Sequence, residues 1–586
     1  MFARLHIPGG QTARGGVVLC PPFGFESERF CRAYQVLAEQ LAEEGLVSFQ
    51  VDYDGTGDSA GWEEEPGRAE AWERSVVAAV EFLRAGGARH VSLVGMRLGA
   101  NLAAAVSAEC KPDALVLWDP CDSGRSYLRE QEVLRSVYET GPGGPEIPAP
   151  GTDAPDGRPG SLEVLGTIYA AETVRAMSEL DVGLVPDALE GSVLALLRPE
   201  KPPRRAVLER LSALKADLAE APEQDRMLDM RPDVFVPHGT VATIVAWLER
   251  TVGPERSPVN LAVQAAAVVQ GPGGGGVVER TEHLGPNKLF GIVARPEGQT
   301  SGPTIVLLNA GTIDHTGPGR LWAQVARSWA EAGLQVVRVD LSGRGDSPAR
   351  PGQPLDVTYS AEALDDVADI VQALSPGRPS DVVLMGLCSG AYHAVRAGAD
   401  LGTGGVLAIN PIFTGRLSDV PTSVPAQDRR GTRPAKAAGQ QARSVAHRVL
   451  NGADDLFGAL TRRLPDELRQ WAVNRLVPGP RPALMFKRLV DQGTRTFVLC
   501  GRNEGAAVVR GDRGLLRRLG RNTAFCICIS PDIDHSLFAH AARTQALQLL
   551  TDHVMSVYAY PRSAHFLDAS SGMYHGSRGR VLHSSV

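Results

Sequence analysis

Gly386-Leu-Cys388-Ser-Gly390, set between the apolar run Asp381–Gly386 and the helix-forming stretch Ala391–Gly398, decides how the chain reads. A strand, a Gly-x-nucleophile-x-Gly turn and a helix, in that order, make a strained elbow. It lifts the central side chain above a sheet and needs small residues on both sides. That frame puts Cys388 at the tip. Placing Ser389 there instead would set Leu387 and Ala391 where glycines are expected. The plain alternative is a small buried thiol without chemistry, as free cysteine commonly is.

Outward from the elbow the sequence alternates short apolar runs with amphipathic stretches. Thr304–Asn309, Leu334–Asp340, Asp381–Gly386, Val406–Asn410, Thr496–Cys500 and Thr523–Ile529 read as strands. Leu321–Ala332, Ala361–Leu374, Ala391–Gly398 and Thr544–Val557 read as helices, and Val277–Arg295 as an opening hairpin. This rhythm predicts an α/β fold with a mostly parallel sheet flanked by helices on both faces. It breaks at about 413–491, where Ala435–Leu450 and Pro465–Leu476 have helical character, so a helical cap insertion is expected over the active-site edge.

A nucleophile needs a base, and the base an orienting group. His535 follows the last predicted strand of the sheet and Glu504 the one before it, giving the order Cys388, Glu504, His535. Imidazole can take the thiol's proton, and the thiolate is the reactive form. Asp532 and Asp534 stand as alternatives to Glu504. Backbone N–H groups of Ser389 and of Ala310 or Gly311 are the expected oxyanion donors. The Gly343-Arg-Gly-Asp-Ser347 turn reads as structural.

The chain repeats itself. Phe2, Pro8 and Gly10-Gln-Thr12 recur as Phe290, Pro296 and Gly298-Gln-Thr300, and Val51-Asp52…Gly55-Thr-Gly57-Asp58-Ser59 recurs as Val339-Asp340…Gly343-Arg-Gly345-Asp346-Ser347, both at an offset of 288. Gly95-Met-Arg97-Leu-Gly99-Ala100 answers the elbow at an offset of 291. Two copies of one fold are expected: residues 1–252, a Gly/Pro-rich linker 253–276, residues 277–557 and a flexible tail 558–586. In the first copy the segment 122–191 reads as irregular, and His238 matches His535 at an offset of 297. Arg97 occupies the tip there, and a guanidinium is no nucleophile. The first copy is therefore expected to be a pseudoenzyme. Its Arg97 is either a structural plug paired with an acid such as Asp119, or a ligand-facing cation. Its expected role is to support the second copy by burying an apolar face and completing the substrate entrance.

The 586 residues exceed one ordinary domain. Lys+Arg 60 against Asp+Glu 67 gives a net charge of −7, which argues against a broadly basic nucleic-acid binder. No run approaches the roughly 18 apolar residues of a membrane span, and the N-terminus lacks the apolar core of a secretory signal. Eight cysteines in so long a chain fit a reduced, cytoplasmic protein. No metal or cofactor is expected, since no His/Asp/Glu cluster has ligand spacing in the sequence.

These motifs resemble the α/β-hydrolase superfamily. The second copy, with Asn309-Ala-Gly-Thr, Gly317-Pro-Gly-Arg320, Gly386-Leu-Cys-Ser-Gly-Ala and Asp534-His535, is similar to the first type of exosortase A-associated hydrolase and its bacterial relatives. The first copy, with Pro21-Pro-Phe-Gly and Gly95-Met-Arg-Leu-Gly-Ala, resembles the second type, which also has arginine at the elbow. The resemblance implies Cys388 as nucleophile, His535 as base and Glu504 as acid, with Glu504 standing where aspartate is more usual. It implies acyl chemistry on a small-molecule ester or thioester through an acyl-enzyme. Acyl transfer or cyclisation from a coenzyme A or acyl carrier protein thioester is the leading alternative, and a non-catalytic binding scaffold the second.

Overall fold

The computed structural model describes residues 1–140, 159–228, 234–413, 482–559 and 581–582, and two sheets organise them. The first contains β1 (Phe2–His6), β2 (Gly15–Cys20), β3 (Leu46–Asp52), β4 (Val91–Met96), β5 (Ala114–Trp118), β6 (Ser192–Leu197) and β7 (Asp217–Glu220), in the order β1-β3-β2-β4-β5-β6-β7. Only β1 runs antiparallel to its neighbour. The second contains β8 (Ala266–Gln270), β9 (Gly276–Leu284), β10 (Leu289–Pro296), β11 (Thr304–Leu307), β12 (Gln335–Val339), β13 (Val382–Leu387), β14 (Gly405–Ile409), β15 (Arg495–Cys500), β16 (Phe525–Ile529) and β17 (Val581–Leu582). Its order is β8-β9-β10-β12-β11-β13-β14-β15-β16-β17, antiparallel up to β12 and parallel beyond. The repeat holds at the level of register. Ala3 faces Val51 and Gly291 faces Val339, both pairs 288 residues apart.

Strands buried on both faces explain the continuous apolar runs, as parallel sheets require. Helices α1 (Phe25–Glu43), α2 (Arg68–Ala85), α3 (Leu98–Cys110), α4 (Gly124–Thr140) and α5 (His238–Val252), with shorter ones at Ala171–Glu179, Arg205–Ala213 and Gln224–Leu228, accompany the first sheet. α1 and α5 share one apolar cluster, and α2 and α3 share the other. Around the second sheet lie α6 (Leu321–Glu331), α7 (Ala363–Leu374), α8 (Ser389–Leu401), α9 (Pro482–Asp491), α10 (Arg502–Gly511) and α11 (His540–Val554). α6 and α11 pack on one face, and α7, α8 and α9 on the other. The segments read as cap helices, Ala435–Leu450 and Pro465–Leu476, lie outside the described residues.

The two sheets meet through buried charge as well as through an apolar contact of the kind expected from the sequence, where Phe538 joins the first sheet's cluster. His315 is fully buried and bonds Asp58 of the first sheet's Gly-Thr-Gly-Asp-Ser turn at 2.8 Å and Asp340 at 2.7 Å. Arg338 bonds Asp58 and, at 2.8 Å, Glu279. Arg320 donates to the carbonyls of Gly55, Gly57, Ser59 and Gly61, and Arg327 to those of Asp58 and Ser59. In the other direction Arg4 bonds Asp346 at 2.7 Å, the aspartate of the matching second turn. Burial works against the imidazolium, but Asp340 and Asp58 outweigh it and raise the His315 pKa well above its ordinary value. Burial likewise opposes the Asp58 carboxylate, yet His315 and Arg338 hold its pKa well below the usual range. Each charge is tolerated only because the others compensate it.

The stretch 253–276, read as a flexible connection, is laid down against its neighbours. Ser257–Pro258 pairs with Thr12–Ala13, and β8 forms the edge of the second sheet. Between β8 and β9 the Gly273 and Gly275 N–H groups donate to the Glu331 carboxylate at 2.8 and 2.5 Å. A Cβ at either glycine would lie within 2.8 Å of that carboxylate, so the glycines serve close approach. In the segment 122–191, read as irregular, α4 forms because Tyr127, Leu128, Gln131, Leu134 and Tyr138 recur at helical spacing. In the tail, β17 pairs with β16 where no regular structure was expected.

Substituting Asp58→Ala leaves His315 and Arg338 short of a buried partner and is expected to cost about 3–5 kcal/mol. Urea unfolding measures this, and adding Arg338→Met should recover part of the loss. A cost below about 1 kcal/mol, the range of surface pairs, would contradict this reading of the clasp.

Candidate active site

β13 ends at Leu387 and α8 begins at Ser389, so the chain reverses on Cys388 alone. Its φ of 55° lies in the left-handed region that non-glycine residues rarely occupy, and such strain collects at functional sites. The flanking glycines are sterically required. A Cβ on Gly386 would sit 2.1 Å from the Gly390 carbonyl carbon, and one on Gly390 2.5 Å from the Asn309 oxygen. Cys388 remains partly exposed, whereas Ser389 is fully buried. The Ser389 hydroxyl accepts the Gly311 N–H at 3.0 Å. The structure therefore sets the thiol, not the hydroxyl, at the tip, and commits the Gly311 donor to Ser389. Ser389 opens α8, so its own N–H has no acceptor within the helix, and Ala310 lies beside it on the loop after β11.

His535 and Glu504 come together as the strand order requires. His535 Nδ1 is 3.0 Å from Glu504 Oε1, which leaves Nε2 as the nitrogen available to Cys388. Burial opposes its charge, but the bonds to Cys388 and Glu504 outweigh this and push its pKa up to about 10. Burial also disfavours the Glu504 carboxylate, yet the bonds from His535 and from its own backbone hold its pKa below the usual value. Asp534 bonds the backbone N–H groups of Ser536, Phe538 and Ala539 at 3.0–3.1 Å and so shapes the loop. Among the described residues, Asp532 makes no bond to His535.

Two further residues join this set. Asn410, at φ 44° after β14, donates to the carbonyls of Asp534 and His535 at 2.9 Å and accepts the Gly501 N–H at 2.7 Å. One side chain thus ties the loop of the base to the loop of the acid. Tyr359 lies close enough to Cys388 for burial and the thiol to push its pKa up, and it packs edge-on against Tyr392 of α8. Arg344 of the structural turn fixes the backbone leading to Tyr359 by donating to the carbonyls of Val357 and Thr358.

The first sheet carries the same elbow with opposite charges. Arg97 has φ 54°, and its N–H bonds the Trp118 carbonyl as the Cys388 N–H bonds that of Ile409, each 291 residues on. The β5–β6 and β14–β15 registers then put Asp119 at the place of Asn410, Arg198 at that of Gly501 and Lys201 at that of Glu504. Arg97 is 2 % exposed, and its nitrogens contact Glu26 at 3.4 Å, Asp119 at 3.5 Å and Glu130 at 2.5 Å. A cavity of about 120 Å³ beside it is lined mostly by apolar groups, among them Phe25, Phe30, Leu134 and Met227. His238 is not the counterpart of His535. It opens α5 as His540 opens α11, an offset of 302 and not the 297 that pairs it with His535.

Among the described residues, His315, Asp340 and Asp346 are the set close enough to ligate a metal ion. Both ring nitrogens of His315 already face carboxylates and Arg4 holds Asp346, so the set serves the clasp. No helix among the described residues is long and apolar enough to cross a membrane.

Residues 305–553 match the model of the Alpha/beta hydrolase family. No curated protein matches the chain. Similar solved structures include Est1E from Butyrivibrio proteoclasticus with ferulic acid bound (16% identity, 43% of this chain and 95% of that one, TM-score 0.32). An esterase domain from a Rhodothermus marinus protein (18%, 43% and 93%, 0.30) and dienelactone hydrolase from Anabaena variabilis (14%, 50% and 99%, 0.29) are also similar.

The folded pKa of His535, about 10, lies above the ordinary 6.5. Its charge therefore contributes stability that is complete below pH 6.5 and lost as pH rises through about 10. The stability gap between wild type and His535→Ala, read by urea unfolding, should close over that window. A gap that widens with pH would contradict the assignment.

Proposed function

We propose that the second half is an acyl hydrolase in which Cys388, His535 and Glu504 form a triad acting through a covalent acyl-enzyme. The observation that carries this is the strained cysteine at the elbow tip, with an imidazole in electrostatic reach whose Nδ1 is held by a carboxylate. An imidazolium beside sulfur is the counter-ion a thiolate nucleophile needs. The sulfur attacks the carbonyl carbon of an ester or thioester, and the carbonyl electron pair moves onto oxygen. The Ser389 and Ala310 N–H groups receive that oxyanion. The intermediate collapses, the bond to the leaving group breaks, and His535 gives that group its proton. His535 then takes a proton from water, the hydroxide adds to the acyl carbon, and the C–S bond breaks to release the acid. Glu504 keeps the imidazole in the required tautomer throughout. With an amine, alcohol or thiol in place of water, the same acyl-enzyme yields transfer or cyclisation, including from a coenzyme A or carrier-bound thioester.

Intact-protein mass spectrometry after brief exposure to short acyl esters and thioesters tests this. Wild type should gain one acyl group, which Cys388→Ala abolishes and His535→Ala slows at least about 100-fold, the scale of a general base. Loss of the adduct in water, against faster loss to added amine or alcohol, separates hydrolysis from transfer. An adduct that survives Cys388→Ala would overturn the proposal.

A further inference from the structure

The loop that carries His535 is gripped from the other half of the chain. Within the ten residues from Asp534 to Arg543, four residues around the first sheet make five contacts. The Tyr138 hydroxyl of α4 donates to Asp534 Oδ1 at 3.0 Å, and its ring packs on Phe538 at 5.3 Å. Phe25 of α1 packs edge-on against Phe538 at 5.8 Å. Glu163 accepts the His540 N–H at 2.5 Å, and Arg543 donates to the Gly166 carbonyl at 2.8 Å. Phe538 belongs to the apolar cluster of the first sheet although it lies three residues beyond His535. The second half itself holds the Asp534–His535 backbone mainly through Asn410.

Asp534 is the point where these grips converge. It is 3% exposed, and its carboxylate accepts from three backbone N–H groups of the loop as well as from Tyr138. A buried carboxylate needs all such donors, and losing one leaves it underbonded and the loop free to shift. Burial and the neighbouring carboxylate push the Tyr138 pKa up, so the phenol stays a donor across the working pH range.

We propose that the half without a nucleophile completes the active site of the other. Tyr138 is a positioning residue that acts through Asp534 to hold His535 against Cys388. This rests on the reading of Cys388 and His535 as nucleophile and base. A retained but degenerate copy then has a defined task, since it supplies one wall of the loop on which the base sits.

The test follows alkylation of Cys388 by iodoacetamide in the full chain from pH 5 to 10, with peptide mapping to separate it from the other cysteines. Four proteins are compared: wild type, Tyr138→Phe, His535→Ala and Val245→Ala. Tyr138→Phe keeps the ring on Phe538 and removes only the hydroxyl. Val245→Ala truncates a separate core cluster of the same half and controls for general destabilisation. The expected result is that Tyr138→Phe slows Cys388 labelling about threefold or more near neutral pH, in line with one lost hydrogen bond. Its pH profile should move toward that of His535→Ala, while Val245→Ala keeps the wild-type profile. A His535-dependent wild-type profile that Tyr138→Phe leaves unchanged overturns the positioning role and leaves the triad standing. A wild-type profile identical to that of His535→Ala overturns the triad and the positioning role with it.

Discussion

A buried imidazolium between two carboxylates holds this molecule together. His315 spans Asp58 of one sheet and Asp340 of the other, and Arg338, Arg327, Arg320 and Arg4 complete the charge around them. Such a network is a poor source of net stability, because desolvation takes back much of what attraction gives. Its value is exactness of placement: apolar faces slide, whereas a guanidinium forked onto fixed carbonyls does not. That rigidity lets the first half reach across to the His535 loop and hold it in register with the Cys388 elbow.

The two halves share one steric solution and differ in electrostatics. Both elbows need glycines for close backbone approach, and both put a non-glycine residue at positive φ. At the tip, one carries a thiol beside an imidazole, and the other a guanidinium beside Glu26, Asp119 and Glu130. Where Asn410 braces two loops with a neutral amide, Asp119 supplies charge to Arg97 and Arg198. The first copy thus holds a buried ion network at the place in the fold where the second holds its thiol.

The elbow, the strands and the order Cys388, Glu504, His535 were legible because each rests on local chemistry: glycine spacing, apolar runs and residue type. Strand and helix limits fell within a few residues of the expected ones, apart from the start of α11, where His540 lies before the apolar period becomes visible. Asn410 and Asp534 were not legible as braces, since both work through backbone groups of loops distant in sequence. The clasp escaped for the same reason. Apart from Arg4 its cations are scattered through the second half, and nothing local marks Asp58 as their target. His238 was misplaced because the loops of the two copies differ in length, so a shared residue type paired it with His535 when its place is that of His540. The glycines of 271–276 suggested slack, yet they wrap a carboxylate.

Through the contacts of Tyr138, Glu163 and Gly166, the clasp and the His535 loop form one mechanical unit. Native-state hydrogen exchange on the full chain, followed with increasing urea, tests it most directly. The amides of Asp58 and Ser59 in the first half, and those of Ser536, Phe538 and Ala539 in the second, are all hydrogen-bonded. If the halves act as one unit, both segments open with the same free energy and the same urea dependence. A His535 loop that exchanges through a smaller, independent opening while Asp58 and Ser59 stay protected would contradict the account.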